Sequence, residues 1–238
     1  MGQIQRYFLS DFHFGHWNEE QQRGIITFER TQFKTIMDHD LAIDKMIEKL
    51  ATKIKPGDEV WNLGDFGELY WLWTTQRLKD AGAITHFILG NHDAAANIPE
   101  FEQYFDYVHK YPVWLSQKLV ISHFPVAVYP DTINIHGHLH SSKLQDINHI
   151  NASIHVTGYK PITEQNIAGA FSKLPKFNRR FLYEPWAKDY QFIQEKEDVI
   201  MDKDGKIDLS ASRLLQKINA DARKEEKDNF YNPYTGGL

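Results

Sequence analysis

The 238-residue chain contains no cysteine. This absence excludes disulfide bonds, thiolate metal sites and cysteine nucleophiles, and it fits a reducing compartment. Neither sign of charge dominates, because 27 Lys and Arg stand against 32 Asp and Glu, a formal net charge of -5. Nothing in this balance indicates a protein that coats nucleic acid or a membrane surface, and we expect no binding to long duplexes.

Long apolar runs are missing as well. No stretch is long enough to span a bilayer, and the N-terminus has no basic region followed by an apolar segment of signal-peptide length. Arg6 stands where a myristoylation signal has Ser or Thr. These absences predict a cytoplasmic protein without a membrane partner.

Apolar segments alternate with amphipathic ones in the first half of the chain. Strands are predicted over residues 4–10, 58–63 and 84–89, and helices over residues 40–53, capped by Asp38 or Asp40, and over 70–81. After residue 105 the segments become mainly β, at 107–115, 118–124, 132–137 and 149–159, before a closing helix over 163–173. This order predicts an α/β fold of two packed mixed β-sheets flanked by helices, a four-layer sandwich.

The chain is predicted to have one core, residues 1–173, and a C-terminal extension, residues 174–238, packed on or near it. Within the extension, "VIMDKDGKIDL" predicts a hairpin and Ser210 the cap of a polar helix. The acidic residues of that stretch resemble a calcium loop. Alignment on Gly205, however, puts Ile200 and Ala211 where an EF-hand needs acids, so we expect the hairpin.

Polar side chains follow five apolar strands at the point where each strand ends. They are Asp11 and His13 in "SDFHFGH", Asp65 in "LGDF", Asn91, His92 and Asp93 in "GNHD", His123 in "ISHF", and His138 and His140 in "GHLH". Singly, each is typical of a turn or a cap. Strand ends converge in layered α/β folds, so together they predict one shared site.

The residue types in this set indicate metal ions. Carboxylate, amide and imidazole ligands without thiolate suit manganese, iron, zinc and similar divalent ions. Two ions need roughly eight ligands, whereas the set supplies seven: Asp11, His13, Asp65, Asn91, His123, His138 and His140. One carboxylate would then serve both ions, which predicts a bridged centre of two divalent metals. We expect manganese, with iron, zinc, nickel or cobalt as alternatives.

The ordered blocks DFH, GDF, GNHD, SH and GHLH resemble the calcineurin-like metallophosphoesterase superfamily, whose pattern is DxH, GD, GNH[DE], H and GHxH. The resemblance covers residues 7 to about 160. The chain resembles the small bacterial and phage-type phosphoesterases more than the Ser/Thr protein phosphatases, because the Arg-bearing GDxVDRG block of the phosphatases is absent. The resemblance implies that the first metal is held by Asp11, His13 and His140, the second by Asn91, His123 and His138, and both by Asp65.

The resemblance also implies a reaction, the hydrolysis of a phosphate ester by in-line attack of a metal-bridging hydroxide. His92 would face the substrate and protonate or stabilise the leaving oxygen, and Asp93 would orient the His92 ring. His16 has two alternatives: it contacts a substrate phosphate, or it hydrogen-bonds a carboxylate behind the metal ligands.

The substrate is predicted only by class. Arginines are sparse near the blocks, and a monoester dianion needs more cationic contacts than a diester does. This favours a phosphodiesterase. Its substrate is left open among nucleotides, cyclic nucleotides, dinucleoside polyphosphates and single-stranded nucleic acid. The alternatives are a phosphomonoesterase, a protein phosphatase, and a non-catalytic interaction module on the same fold. Loss of a metal ligand would favour the module, and none is lost here.

Other aromatic and histidine residues are predicted to be structural. Tyr70, Trp71 and Trp73 are expected to form the apolar face of a helix rather than a platform for a base. The remaining histidines are assigned to the scaffold: His39, His86, His109, His136, His149 and His155.

Overall fold

The computed structural model describes residues 4–142 and 144–175. The strands are β1 Arg6–Leu9, β2 Trp17–Asn18, β3 Arg23–Gly24, β4 Glu59–Asn62, β5 Ile84–Ile88, β6 Tyr107–His109, β7 Val113–Ser116, β8 Leu119–Ser122, β9 Ile133–His136, β10 His149–Asn151 and β11 Ile162–Thr163. The α-helices are α1 Ile25–Phe28, α2 Ile36–Ala51, α3 Trp73–Asp80, α4 Ile98–Tyr104, α5 Ile154–Thr157 and α6 Glu164–Phe171. The hairpin and the helix predicted near the C-terminus lie outside the described residues.

Two larger sheets organise these strands. The first has the order β11-β1-β4-β5-β6, with β11 antiparallel to β1 and the other pairs parallel. The second has the order β10-β9-β8-β7, with only the β7–β8 pair antiparallel. Within each sheet, the parallel strands therefore have their carboxyl ends on the same side.

The two sheets pack against each other through an apolar cluster. Phe8, Trp61 and Ile88 of the first sheet and Ile121 and Ile135 of the second belong to it, and each is at most 3% exposed. Side chains on the other face of the first sheet pack against α2, α3 and α4 and form a second apolar cluster with them. The inner strands are buried on both faces, which accounts for their continuous apolar runs. The expected class, α/β with two packed mixed sheets flanked by helices, is confirmed.

The first long helix begins earlier than predicted. Thr35 is the N-cap, because its side-chain oxygen accepts a hydrogen bond from the backbone N–H of Asp38 at 3.1 Å. Asp38 therefore lies in the first turn, where an acid is also favourable. Asp40 is buried and accepts a hydrogen bond from the Gly15 N–H at 2.9 Å. The sequence-based cap assignment was wrong because acids near a helix start do not identify the cap itself.

Two other segments also differ from the sequence-based prediction. The helix predicted over 70–81 is divided into a 3-10 turn, Leu69–Trp71, and α3. Trp71 is buried and stacks on Phe14, whereas Tyr70 and Trp73 are exposed. The segment 149–159, predicted as β, contains β10 and then the helical turn α5. Within the described residues, no helix combines the length and apolarity needed to cross a membrane.

The packing of the two sheets generates a stability prediction. Phe8 is fully buried between them, so Phe8→Ala should leave a cavity and lower the free energy of unfolding by about 3–5 kcal/mol. Urea denaturation would measure this, with Tyr111→Ala, at a 77% exposed side chain, as the matched control. A loss below about 1 kcal/mol would contradict the assignment of this cluster as the inter-sheet core.

Candidate metal centre

The carboxyl ends of five strands bring the predicted ligands together. Asp11 and His13 follow β1, Asp65 follows β4, Asn91 follows β5, His123 follows β8, and His138 and His140 follow β9. One group consists of Asp11, His13, Asp65 and His140, and a second of Asp65, His123 and His138, with the ligand atoms of each group within 4.8 Å of one another. The two groups share Asp65. These buried His and Asp side chains can hold metal ions.

Asn91 joins the second group through its side-chain oxygen. The Nδ1 of His123 donates to the Leu63 carbonyl at 2.8 Å, so in the neutral ring the Nε2 carries a lone pair. That Nε2 lies 2.9 Å from Asn91 Oδ1 and 3.4 Å from Asp65 Oδ2. The same Asn91 oxygen lies 2.9 Å from His138 Nδ1. Lone pairs that converge in this way repel one another unless a cation or a proton lies between them.

The first group contains buried polar atoms without partners. His13 Nε2 and Asp65 Oδ2 lie 3.4 Å apart, and neither atom has a hydrogen-bond partner among the described residues. His140 Nε2 lies 3.9 Å from Asp11 Oδ1. Buried polar atoms of this kind are rare unless an ion or water satisfies them. The side chains present therefore fit a divalent cation.

The protonation states of the histidines suit the same purpose. Burial lowers the pKa of His13 and of His140 to about 4, and it also lowers the pKa of His123. These rings are neutral at neutral pH, which is the form that binds metals. Burial, together with Asp65, raises the pKa of Asp11 to about 8. Burial also acts to raise the pKa of Asp65, but the neighbouring His13 and His123 outweigh it and the pKa is lowered.

The backbone at the centre adopts a conformation that is uncommon for residues with side chains. Positive φ angles occur at Asp11 (61°), His13 (49°), Asp65 (56°), His138 (67°) and His140 (47°). Each such residue costs on the order of 1–3 kcal/mol and persists only where its surroundings enforce it. Here the surroundings are hydrogen bonds from Asp11 N–H to the Gly64 carbonyl (3.0 Å) and from His138 N–H to Asp11 Oδ1 (3.0 Å). Strain is therefore concentrated at the predicted ligands.

Gly137 allows the second sheet to approach Asp11 closely. A Cβ at this position would lie 2.7 Å from Asp11 Oδ2 and would clash with the Ser10 side chain. The loop that carries His138 can therefore pack this closely on the loop that carries Asp11 only with glycine at position 137.

The Asp93 side chain is buried and contacts the backbone of two loops. Its carboxylate accepts hydrogen bonds from the backbone N–H groups of Gly90 (2.7 Å), Asp65 (2.7 Å) and Phe66 (3.0 Å). Among the described residues, no hydrogen bond joins it to the His92 ring. The carboxylate therefore ties the loop after β5 to the loop after β4. That Asp93 also orients the His92 ring stays a prediction.

His92 and His16 both lie beside the first group. The exposed His92 ring is 5.0 Å from the His13 ring and 5.4 Å from the His16 ring, between centroids. The His92 backbone N–H donates to Asp65 Oδ1 at 2.9 Å. His16 Nδ1 lies 3.2 Å from His13 Nδ1, so the partner of His16 is a predicted metal ligand rather than a carboxylate. That contact leaves His13 Nε2 directed at Asp65.

Two further residues, which the sequence did not indicate as part of the site, adjoin the centre. The side chain of Glu29 is only 3% exposed, and its Oε1 lies 3.6 Å from His140 Nδ1. The ring of His155, assigned above to the scaffold, is 5.4 Å from that of His140. Glu29, His140 and His155 themselves form a third group of potential ligand atoms. Glu29 lies between two blocks with no spacing signal of its own, so only the folded chain reveals it.

The centre opens into a cavity of about 1200 Å³. His13, Asp65, Asn91, His92 and His138 line it, together with His16 and His140. Residues of β2, β3 and α1 also line it. The site can therefore receive a molecule from solvent directly against the ligand groups.

Comparisons with known proteins give a structural likeness only. No protein-family model matches the chain, and no curated protein matches it significantly. A protein of unknown function from Aquifex aeolicus is similar in structure, with a TM-score of 0.53 and 25% identity, over 70% of this chain and 99% of that one. The nuclease MPE of Pseudomonas putida has a TM-score of 0.37 and 18% identity, over 57% of this chain and 61% of that one. A TM-score this low does not establish a shared fold.

The position of Asp93 generates a second prediction. Asp93→Ala should leave two buried backbone N–H groups and the partly buried N–H of Gly90 without this acceptor, and lower the free energy of unfolding by about 3 kcal/mol or more. Asp93→Asn, which keeps one acceptor oxygen, should lose less. Both are measured by urea denaturation in the presence of a chelator. Unchanged stability in Asp93→Ala would show that the two loops do not depend on this carboxylate.

Proposed function

We propose that the chain is a phosphoesterase that uses two divalent metal ions, with manganese expected. Asp11, His13 and His140 would hold one ion, Asn91, His123 and His138 the other, and Asp65 both. The observation that carries the proposal is the pair of ligand groups sharing one buried carboxylate at the wall of an open cavity. The block order shared with calcineurin-like metallophosphoesterases supports the same conclusion.

Asp65 is suited to the bridging role by the different surroundings of its two oxygens. Its Oδ2 lies 3.4 Å from the Nε2 of His13 and 3.4 Å from the Nε2 of His123, so one atom faces both groups. Its Oδ1 accepts the His92 backbone N–H, which fixes the rotation of the carboxylate. When bound, two divalent ions would lower the pKa of a water molecule and stabilise charge on the phosphoryl oxygens.

His92 is the proposed proton donor to the leaving oxygen. Its ring is exposed to the cavity beside the first group, while its backbone is anchored to Asp65. A positioned imidazole can deliver a proton to an alkoxide leaving group. His16 would hold His13 in the tautomer whose Nε2 lone pair faces Asp65. Asp93 would contribute by holding the His92 loop against the Asp65 loop.

A phosphodiester is the proposed substrate class. The cavity offers two arginines, Arg23 and Arg30, and neither is one of the predicted metal ligands. A diester monoanion needs fewer cationic contacts at the reacting phosphate than a monoester dianion does. The first experiment is therefore hydrolysis of bis(p-nitrophenyl) phosphate beside p-nitrophenyl phosphate, with Mn²⁺ and after chelation. Faster monoester hydrolysis would favour a phosphomonoesterase, and metal binding without either reaction would favour an interaction module.

The bridging role of Asp65 predicts a change in metal stoichiometry. The native chain should bind two Mn²⁺ ions, and Asp65→Asn should weaken both sites at once because each loses the same anionic ligand. Elemental analysis after dialysis measures this stoichiometry. Mn²⁺ should also raise the melting temperature of the native chain but not that of Asp65→Asn. Glu48→Gln, on the exposed face of α2, is the matched control. Two retained ions in Asp65→Asn would rule out the bridge.

The role of His92 predicts a dependence on the leaving group. His92→Ala should keep both ions but lose about 10²-fold or more in kcat on a thymidine dinucleotide, whose alkoxide leaves poorly. The loss on bis(p-nitrophenyl) phosphate should be smaller, because p-nitrophenolate leaves without a proton. Equal losses on the two substrates would show that His92 does not act as the acid.

A further inference from the structure

The segment from Trp17 to Arg30, which comprises β2, β3 and α1, forms part of the cavity wall beside the ligand groups. None of the sequence blocks includes it. Two of its exposed side chains that line the cavity are cationic, Arg23 and Arg30, and neither has an ion-pair partner among the described residues. Arg30 also has a left-handed backbone, with a φ of 50°, which residues with side chains rarely adopt.

Exposed aromatic rings lie beside both ligand groups. Phe28, in the same wall, is 76% exposed and lies 6.1 Å from the ring of His140, in the first group. Phe124 is 47% exposed and lies 4.6 Å from the ring of His138, in the second group. A phosphate held between the two groups would therefore have an exposed aromatic ring on each side.

We propose that this arrangement binds single-stranded nucleic acid across the metal centre. Phe28 and Phe124 stack on the bases on either side of the scissile phosphate, and Arg23 and Arg30 bind phosphates farther along the strand. This proposal rests on the phosphodiesterase function proposed above. It assigns a role to residues that the hydrolytic chemistry leaves unused.

Three observations favour a strand over a free nucleotide or a duplex. The cavity, at about 1200 Å³, exceeds the roughly 300–1,000 Å³ of most small-molecule pockets. The unpaired cations and the two rings supply contacts for more than one phosphate and more than one base. Bases within a duplex are already stacked on each other, whereas those of a single strand are free to stack on side chains.

The arginines are tested by salt dependence. For an eight-residue oligodeoxythymidylate, the double variant R23Q/R30Q should lower kcat/KM at least tenfold more than it does for bis(p-nitrophenyl) phosphate, which has no flanking phosphate. The slope of log(kcat/KM) against log[salt] should become shallower by about 1.4, because each phosphate contact to a single strand contributes about 0.7. The double variant K49Q/K53Q changes two exposed lysines outside the cavity lining and should match the native enzyme.

The aromatic rings are tested by stacking. Phe28→Ala and Phe124→Ala should each raise KM for the oligonucleotide about fivefold or more, and Phe28→Trp should restore it. The effect of Phe28→Ala should vanish on an oligonucleotide whose contacted residue is abasic, since no base remains to stack. Trp114→Ala removes a 53% exposed ring of β7 that, among the described residues, has no ring contact with a predicted ligand, and it serves as the control.

The outcomes separate this proposal from the function on which it rests. If neither substrate is hydrolysed with metal bound, the phosphodiesterase function fails. If bis(p-nitrophenyl) phosphate is hydrolysed but the arginine and phenylalanine variants match the native enzyme on the oligonucleotide, strand binding is overturned. Equal losses on both substrates also overturn it, because the residues would then act on the centre rather than on the strand.

Discussion

The convergence of unprotonated ligand atoms on the buried carboxylate of Asp65 is the interaction on which the rest of the site depends. Its side chain is almost inaccessible to solvent, yet it faces the Nε2 atoms of His13, which follows β1, and of His123, which follows β8. Isolated, such a group would be strongly unfavourable, because a charge removed from water needs compensating partners. The backbone N–H of His92 and the neighbouring rings supply part of that compensation, and the geometry leaves room for a cation to supply the remainder.

The polar residues of the centre lie at the carboxyl ends of strands. A strand can be buried and regular for four residues and then release a polar side chain at its carboxyl end, where the backbone is no longer constrained by the sheet. The left-handed residues Asp11, Asp65 and His138 occur at these points. The apolar cluster between the sheets holds the ends in register, so the unfavourable local conformations are maintained by packing some distance away.

The sequence predicted the sheet architecture and the convergence of the ligands well, because both follow from apolar runs that stop at polar residues. It predicted helix starts less well, since Asp38 was equally consistent with a cap and with a first-turn position. The backbone contacts of Asp93 were not predicted, because a motif does not record which nearby backbone amides donate to a carboxylate. Glu29 was missed because its approach to His140 depends on how α1 packs, which periodicity does not encode.

The ligands come from both sheets, and this division has a mechanical consequence. Asp11 and His138 are separated by 127 positions along the chain, and each belongs to a group of potential metal ligands. A bound ion would act as a cross-link between distant parts of the polypeptide and reduce the entropy gained on unfolding, as a disulfide does. In a chain without cysteine, a metal ion bound at these residues would therefore tether the two sheets to each other in the way that a disulfide does elsewhere.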